Sequence, residues 1–314
     1  MSLYMNKRSP FASVGLVLGA VACIVMLAYL AACGGGGGPP KPPDKAPQFG
    51  HITLRVTDSP VAHAKRVVVQ FTGLEIKPRD AAQPEVFDFA PRQIDLLALD
   101  GGGSETLLAD EMLPAGEYEW IRLKVNAGRD GSDSFIELDD GSRHPLFIPS
   151  GNQTGLKLIR GFVIGAGGTH NFTIDFDLRK SVIHPPGLGD PYLLKPVLRL
   201  VNNLEVGDIA GTVAQALVVD GCHPAVYLYS GANVVPDDLG SPTPPLTSTA
   251  VNLDNATGAY RYHLAFVPAG AQTLAFTCGA DKDDAEVDDA ITFSAPVNAT
   301  VVAGQTTTVD FTAP

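Results

Sequence analysis

The sequence offers no amphipathic helix of any length, no basic stripe, and no nucleophile or zinc motif in a fitting context. Each absence excludes something. Without apolar residues recurring at helical spacing, a helical bundle or an alternating strand-helix plan has nothing to build on. With a net charge of -12 and no cluster of Lys or Arg, a phosphate backbone meets repulsion where nucleic-acid affinity would need counterion release, so nucleic acid is excluded as a partner. No G-x-S-x-G stands at a strand-to-helix turn, as an α/β hydrolase requires. The seven histidines (His51, His63, His144, His170, His184, His223 and His263) form no H-E-x-x-H and no pairing with cysteine at zinc spacing. What is plentiful is Gly, with 33 residues, and Pro, with 25, spread throughout, which means short elements joined by tight turns. With 45% hydrophobic residues in 314, the chain can bury one or two cores.

Cysteine is scarce, and the four residues have different surroundings. Residues 1–33 run from Lys7 and Arg8 through the apolar "FASVGLVLGAVACIVMLAYLAA" to Cys33, which is the order of a secretory signal. The run is long enough to span a bilayer, but "LAAC" (Leu30 to Cys33) resembles the bacterial lipobox, with small residues beside the cut. The resemblance implies cleavage after residue 32 and acylation of Cys33, several buried acyl chains holding far more firmly than one. Cys23 leaves with the leader, and so do the two basic residues, making the mature chain more acidic still. The following "GGGGGPPKPPDKAPQ" is a tether, flexible in its glycines and stiffened by its prolines. Gly34 stands where an inner-membrane retention signal would place Asp, so by the same resemblance the outer membrane is favoured over the inner. Cys222 and Cys278 are expected to form a disulfide, since an exported chain meets an oxidising compartment.

From residue 50 the pattern alternates: "HITLRVTDSP", "KRVVVQFTGLEI", "EYEWIRLKVNA" and "HNFTIDFDL" carry a period of two and are bounded by turn residues, which predicts strands. Asp140-Gly141 in "FIELDDGSRHPLFI" predicts a hairpin. A second alternating set begins near Gly207. An echo links the halves: "LPAGEYEWIRLKV" from Leu113 matches "VPAGAQTLAFT" from Val267, and "AGGTHNFTIDF" matches "AGQTTTVDF" in the same order. Pro fixes φ and Gly permits a positive one, so a "PAG" turn launches a strand in each half. The fold class is therefore all-β: a signal peptide (1–32), a lipidated tether (33–48), and two β-sandwiches of related plan (49–206 and 207–314).

"GHITLRVTDSP", "IDLLAL", "LPAGEYEWIRLKV", "IPSGNQTGLKL", "FTIDFDLRKSV" and "YLLKPVLRLV" resemble the bacterial and archaeal envelope lipoproteins grouped as domain of unknown function 4382, over about His51 to Val201. That resemblance brings no catalytic residues. In the second half "GTV", "GAYRYHL" and "VPAG" are similar to the transthyretin-like, carboxypeptidase-regulatory type of sandwich, whose domains support, space or bind.

The remaining candidates for chemistry are few. Ser150 in "IPSGN" reads as a turn residue, and Lys180-Ser181, adjacent on an expected strand, would point to opposite faces. Asp175 and Asp177 share one strand face, where they can hold a cation or act as a carboxylate pair, or simply face solvent while Ile174, Phe176 and Leu178 pack inward. "DKDDAEVDD" offers Asp281, Asp283, Asp284, Glu286, Asp288 and Asp289 as calcium ligands, without the EF-hand spacing or its glycine, and a solvated loop is the plainer reading. Trp120 falls on the same strand face as Tyr118, Arg122 and Lys124, opposite the apolar Ile121, Leu123 and Val125. The expectation is a lipid-anchored, non-catalytic binding or structural module of the cell envelope. No cofactor is required and calcium is left open. Its partners are the bilayer, through Cys33, and an envelope protein or polysaccharide. The alternative is an envelope hydrolase using carboxylates or a serine.

Overall fold

Alternation becomes burial in the first strand of the computed structural model: Ile52, Leu54 and Val56 are fully buried, while His51, Thr53 and Arg55 between them are half-exposed. The structure describes residues 46, 48–59, 64–149 and 155–313; the leader, Cys33 and the tether as far as residue 45, and Ser150, lie outside them.

The first half runs β1 (Phe49–Ser59), β2 (Ala64–Pro78), β3 (Glu85–Asp95), β4 (Glu105–Pro114), β5 (Gly116–Asn126), β6 (Phe135–Leu138), β7 (Arg143–Phe147), β8 (Leu156–Leu158), β9 (Phe162–Ile164), β10 (Thr169–Asp177), the one-turn helix α1 (Leu178–Ser181), β11 (Val182–Ile183), β12 (Tyr192–Leu194) and β13 (Leu198–Asn202). The second half runs β14 (Val206–Val213), β15 (Ala225–Ser230), β16 (Thr247–Ala250), β17 (Asn252–Asp254), β18 (Ala259–Pro268), β19 (Gly270–Thr277), β20 (Val297–Val301) and β21 (Thr306–Thr308). A four-stranded sheet, β13-β10-β1-β4, faces a nine-stranded one built around β2 and β5, and their inner faces share one core. In the second half, sheets β17-β18-β14-β21 and β16-β15-β19-β20 enclose a second core. Both halves are thus β-sandwiches, and residues 46–314 cluster as one compact unit.

The echo in the sequence is an echo in hydrogen bonds. Gly167 N donates to Phe49 O (2.7 Å) and Gly304 N to Val206 O (2.8 Å); His51 N donates to Gly168 O (2.8 Å) and Asp208 N to Gln305 O (2.9 Å). At the "PAG" turns Ala115 N donates to Gln48 O (2.7 Å) and Ala269 N to Glu205 O (3.0 Å). Strands β1 and β14 each pair in parallel with the strand that closes the repeat and antiparallel with the strand that enters the turn. The glycine that starts each repeat is there for space: a Cβ on Gly50 would stand 2.3 Å from Gly165 O, and one on Gly207 would stand 2.3 Å from Val302 O. The same backbone crossing is therefore built twice.

Three local expectations meet different outcomes. The Asp140-Gly141 hairpin forms, with Ile136 opposite His144 and Gly141 at φ 85°. The face assignment around Trp120 fails, because the β2-β5 register slips between Lys77 and Pro78 and skips Glu119. Tyr118 thereby turns into the core and is 1% exposed, while Trp120 stays half-buried under the Arg122 and Lys157 cations. Lys180-Ser181 lies in α1 rather than on a strand.

Candidate functional site

β15, "AVYLYS", is buried on both faces, which one alternating strand cannot be unless something covers its outer side. Val226 and Leu228 point into the second core; Ala225, Tyr227 and Tyr229 form a smaller cluster with Leu239, Ala275 and Ala280, packed against Val234, Ala285 and Phe293. The cover consists of two loops, 231–246 and 278–296, the second carrying the acidic run that the sequence presents as a solvated loop. Gly240 lets them meet: a Cβ there would stand 1.9 Å from Val287 O, so only glycine admits the second loop's backbone.

The polar ends of the two tyrosines organise this cover. Tyr229 Oη donates to Asp237 O at 2.5 Å, and Tyr227 Oη donates to Asp283 Oδ2. Asp283 Oδ1 accepts from Leu239 N at 3.0 Å. Asp238 Oδ2 accepts from Gly240 N (3.2 Å) and Asp289 N (2.7 Å), stitching loop to loop. Carboxylate oxygens of Asp238, Asp283 and Asp289 lie within 4.8 Å of one another, and so do those of Asp237, Asp238 and Asp288. Asp238 belongs to both groups, is fully buried, and its Oδ1 has no hydrogen-bond partner among the described residues. Burial pushes the Asp283 carboxyl above the ordinary carboxylate value, against the Tyr227 hydroxyl, the Leu239 amide and Arg179, which pull it down, and with Asp238 adding to the rise.

Arg179 comes from the first sandwich. Asp177 caps α1, accepting from Lys180 N at 3.2 Å, and the next turn carries Arg179 into the second sandwich. Its guanidinium donates to Tyr227 Oη (2.6 Å), Ser248 Oγ (3.3 Å) and Ala280 O (2.7 Å), and lies 3.6 Å from Asp283 Oδ2. Lys180 Nζ donates to Pro245 O at 3.2 Å, and Lys195 Nζ to Glu286 Oε1 at 2.5 Å. The two sandwiches are therefore joined through a buried polar junction directly beneath the acidic loop.

Of the six acids singled out in that loop, Asp283, Asp288 and Asp289 converge. Asp281 instead faces His223 (3.8 Å), Asp284 accepts from Glu286 N (2.9 Å), and Glu286 pairs with Lys195. Asp237 and Asp238, in "VVPDDLGSP", were not singled out; the available signal was the pair of tyrosines at alternate positions of a strand that is apolar on both faces.

The strand carboxylates have other partners. Asp175 does not face solvent: it is 6% exposed and held by Arg199, its cross-strand neighbour, at 2.6 and 3.1 Å. Asp177 pairs with Lys180 at 3.4 Å, and Ser181 Oγ donates to Val197 O at 3.2 Å. Burial raises the Asp175 carboxyl above its ordinary value while Arg199 opposes the rise. A folded value raised above the unfolded one makes this group's contribution to stability complete below the unfolded carboxylate pKa, and it is lost as pH rises through the folded value. Relative to Asp175→Asn, wild type should therefore lose stability as pH rises above about 4, the ordinary carboxylate value. Urea midpoints of the two proteins over that rise check it; parallel profiles would contradict the buried assignment.

Two packed β-sandwiches with an acidic junction define the architecture. Residues 49–196 match the family described as a domain of unknown function (DUF4382), the stretch that carried the resemblance in the sequence. No curated protein matches the chain. Similar solved structures include a leucine-rich repeat protein from Bacteroides thetaiotaomicron (13% identity, TM-score 0.19, 85% of this chain and 27% of that one) and the Bacillus anthracis TIE protein (12%, 0.19, 84% and 33%). A third is GBS52, the minor pilin of Streptococcus agalactiae (11%, 0.19, 82% and 94%). The chain spans about a quarter of the first of these (27%) and a third of the second (33%).

Proposed function

We propose that this chain is an exported lipoprotein of the cell envelope, anchored through acylated Cys33, and that its paired sandwiches are a binding or structural module rather than a catalyst. The observation that carries the reading is the Cys222–Cys278 disulfide. Such a bridge belongs to an oxidising compartment, the same side of the membrane to which the leader directs the chain. The buried junction supports the second half of the reading: Arg179 fixes one sandwich on the other, so the tether carries one unit with loops at its ends, the usual place for recognition on a strand frame. Gly34 after the cysteine favours the outer membrane. The second sandwich serves as a support or spacer of the transthyretin-like kind, and an envelope protein or polysaccharide is the partner to seek.

Labelled palmitate given to a bacterial host with the lipidation enzymes should enter the protein, and Cys33→Ala should leave it unlabelled and uncleaved. Wild-type protein that is exported yet carries no label would overturn the anchor.

A further inference from the structure

Two groups of three aspartates, drawn from two loops and sharing Asp238, form over the outer face of β15, and Asp238 is fully buried with an oxygen that has no hydrogen-bond partner among the described residues. An unpartnered buried carboxylate oxygen is expensive, and here other carboxylates surround it, so charge repulsion adds to the cost. Stitching loop to loop occupies Oδ2 alone and leaves Oδ1 without a partner among the described residues. We propose that Asp238 is the central ligand of a divalent-cation site of the calcium class, closed by Asp283 and Asp289 on the buried side and by Asp237 and Asp288 toward solvent.

The ligand chemistry selects the ion. All five groups are carboxylates, the hard oxygen donors that calcium takes from flexible loops. Calcium binds oxygens at 2.3–2.6 Å, so two ligands of one ion lie at most about 5 Å apart; oxygens of Asp238, Asp283 and Asp289 fall within 4.8 Å of one another, and so do oxygens of Asp237, Asp238 and Asp288. Magnesium demands a regular octahedron that two irregular loops are poorly suited to supply. The ion would tie loop 231–246 to loop 278–296 at the point where Gly240 and Val287 already touch, and it would hold Asp283 where Arg179 of the other sandwich meets it. This site does not depend on membrane anchoring, so failure of either proposal leaves the other standing.

The test uses the full chain purified in detergent, with terbium as a luminescent probe, calcium as its competitor, and melting curves in calcium or chelator. Tyr227 and Tyr229, in contact with Asp283 and Asp237, are placed to sensitise terbium. Calcium should displace terbium and raise the melting midpoint, and Asp238→Asn should weaken calcium binding at least about tenfold and abolish the shift. Asp288 is exposed, so Asp288→Asn should weaken binding with no loss of stability in chelator, which keeps the test valid if Asp238→Asn folds poorly. Asp281→Asn and Glu286→Gln, on the same loop but paired with His223 and Lys195, should bind calcium as wild type does. No calcium binding up to about 10 mM, well above the weakest extracellular sites, would overturn the proposal. So would wild-type affinity in both Asp238→Asn and Asp288→Asn, or an equal loss in Asp281→Asn, which would mark a diffuse charge effect.

Discussion

Arg179→Met should destabilise the protein by about 3–5 kcal/mol, the cost of leaving a buried charge without its partner. The side chain of Arg179 is 8% exposed and that of Asp283 is fully buried. Removing the guanidinium strips donors from Tyr227 Oη, Ser248 Oγ and Ala280 O as well as the charge opposite Asp283. Asp283→Asn in the same chain should recover part of the loss, because the amide keeps an oxygen for Leu239 N while the stranded charge is gone. The pH dependence follows from the direction of the Asp283 shift. Its folded value is already raised, and losing Arg179 raises it further, so the stability this group contributes is complete below the unfolded carboxylate pKa and is lost as pH rises. The deficit of Arg179→Met should therefore be largest near neutrality and shrink in acid. Chemical denaturation at several pH values measures it; a single variant within about 1 kcal/mol of wild type, or a double variant no better than the single, would show that the junction is merely solvated contact.

What the sequence made legible follows from how local each signal is. The "PAG" turns and the Asp140-Gly141 hairpin depend on a few adjacent residues and their φ angles, and both are found where expected. The repeat was legible for the same reason, since Gly50 and Gly207 are demanded by a backbone crossing that recurs in each half. Signals that depend on a distant partner were not legible. Asp175 looked solvated because its neutralising partner, Arg199, is brought opposite only by the pairing of β10 with β13. Tyr118 looked outward because a bulge shifts the strand by one residue, and a period of two turns that slip into a change of face. The acidic loop was legible as a charge run but not as half of a site. Its other half, Asp237 and Asp238, arrives from roughly 50 residues away and is positioned by tyrosine hydroxyls and a glycine contact that only the folded chain brings together.

Replacing Cys222 and Cys278 together by alanine should lower stability by about 4 kcal/mol, the chain-entropy value for the 56-residue separation that the bridge closes. The bridge joins the segment entering β15 to the segment leaving β19, where His223 N donates to Cys278 O (2.9 Å) and Ala280 N to His223 O (3.3 Å). These contacts set the start of the loop that covers Tyr227 and supplies Asp283 to Arg179. Loss of the bridge should therefore act in two places: on the unfolded chain, which gains freedom, and on this loop, which loses its nearest fixed point. Protease cleavage between Ala280 and Ala290 should rise in the variant under native conditions while the first sandwich stays resistant. The disulfide lines an open cleft of roughly 470 Å³ together with Leu217, Val219, Phe276 and Phe293, so a small reductant can reach it in the folded protein. Reduced wild type should then match the alanine variant in urea denaturation. A difference below about 1 kcal/mol between oxidised wild type and the variant, far under the entropic value, would mean that the loop's hydrogen bonds alone already hold these two ends together in the unfolded ensemble.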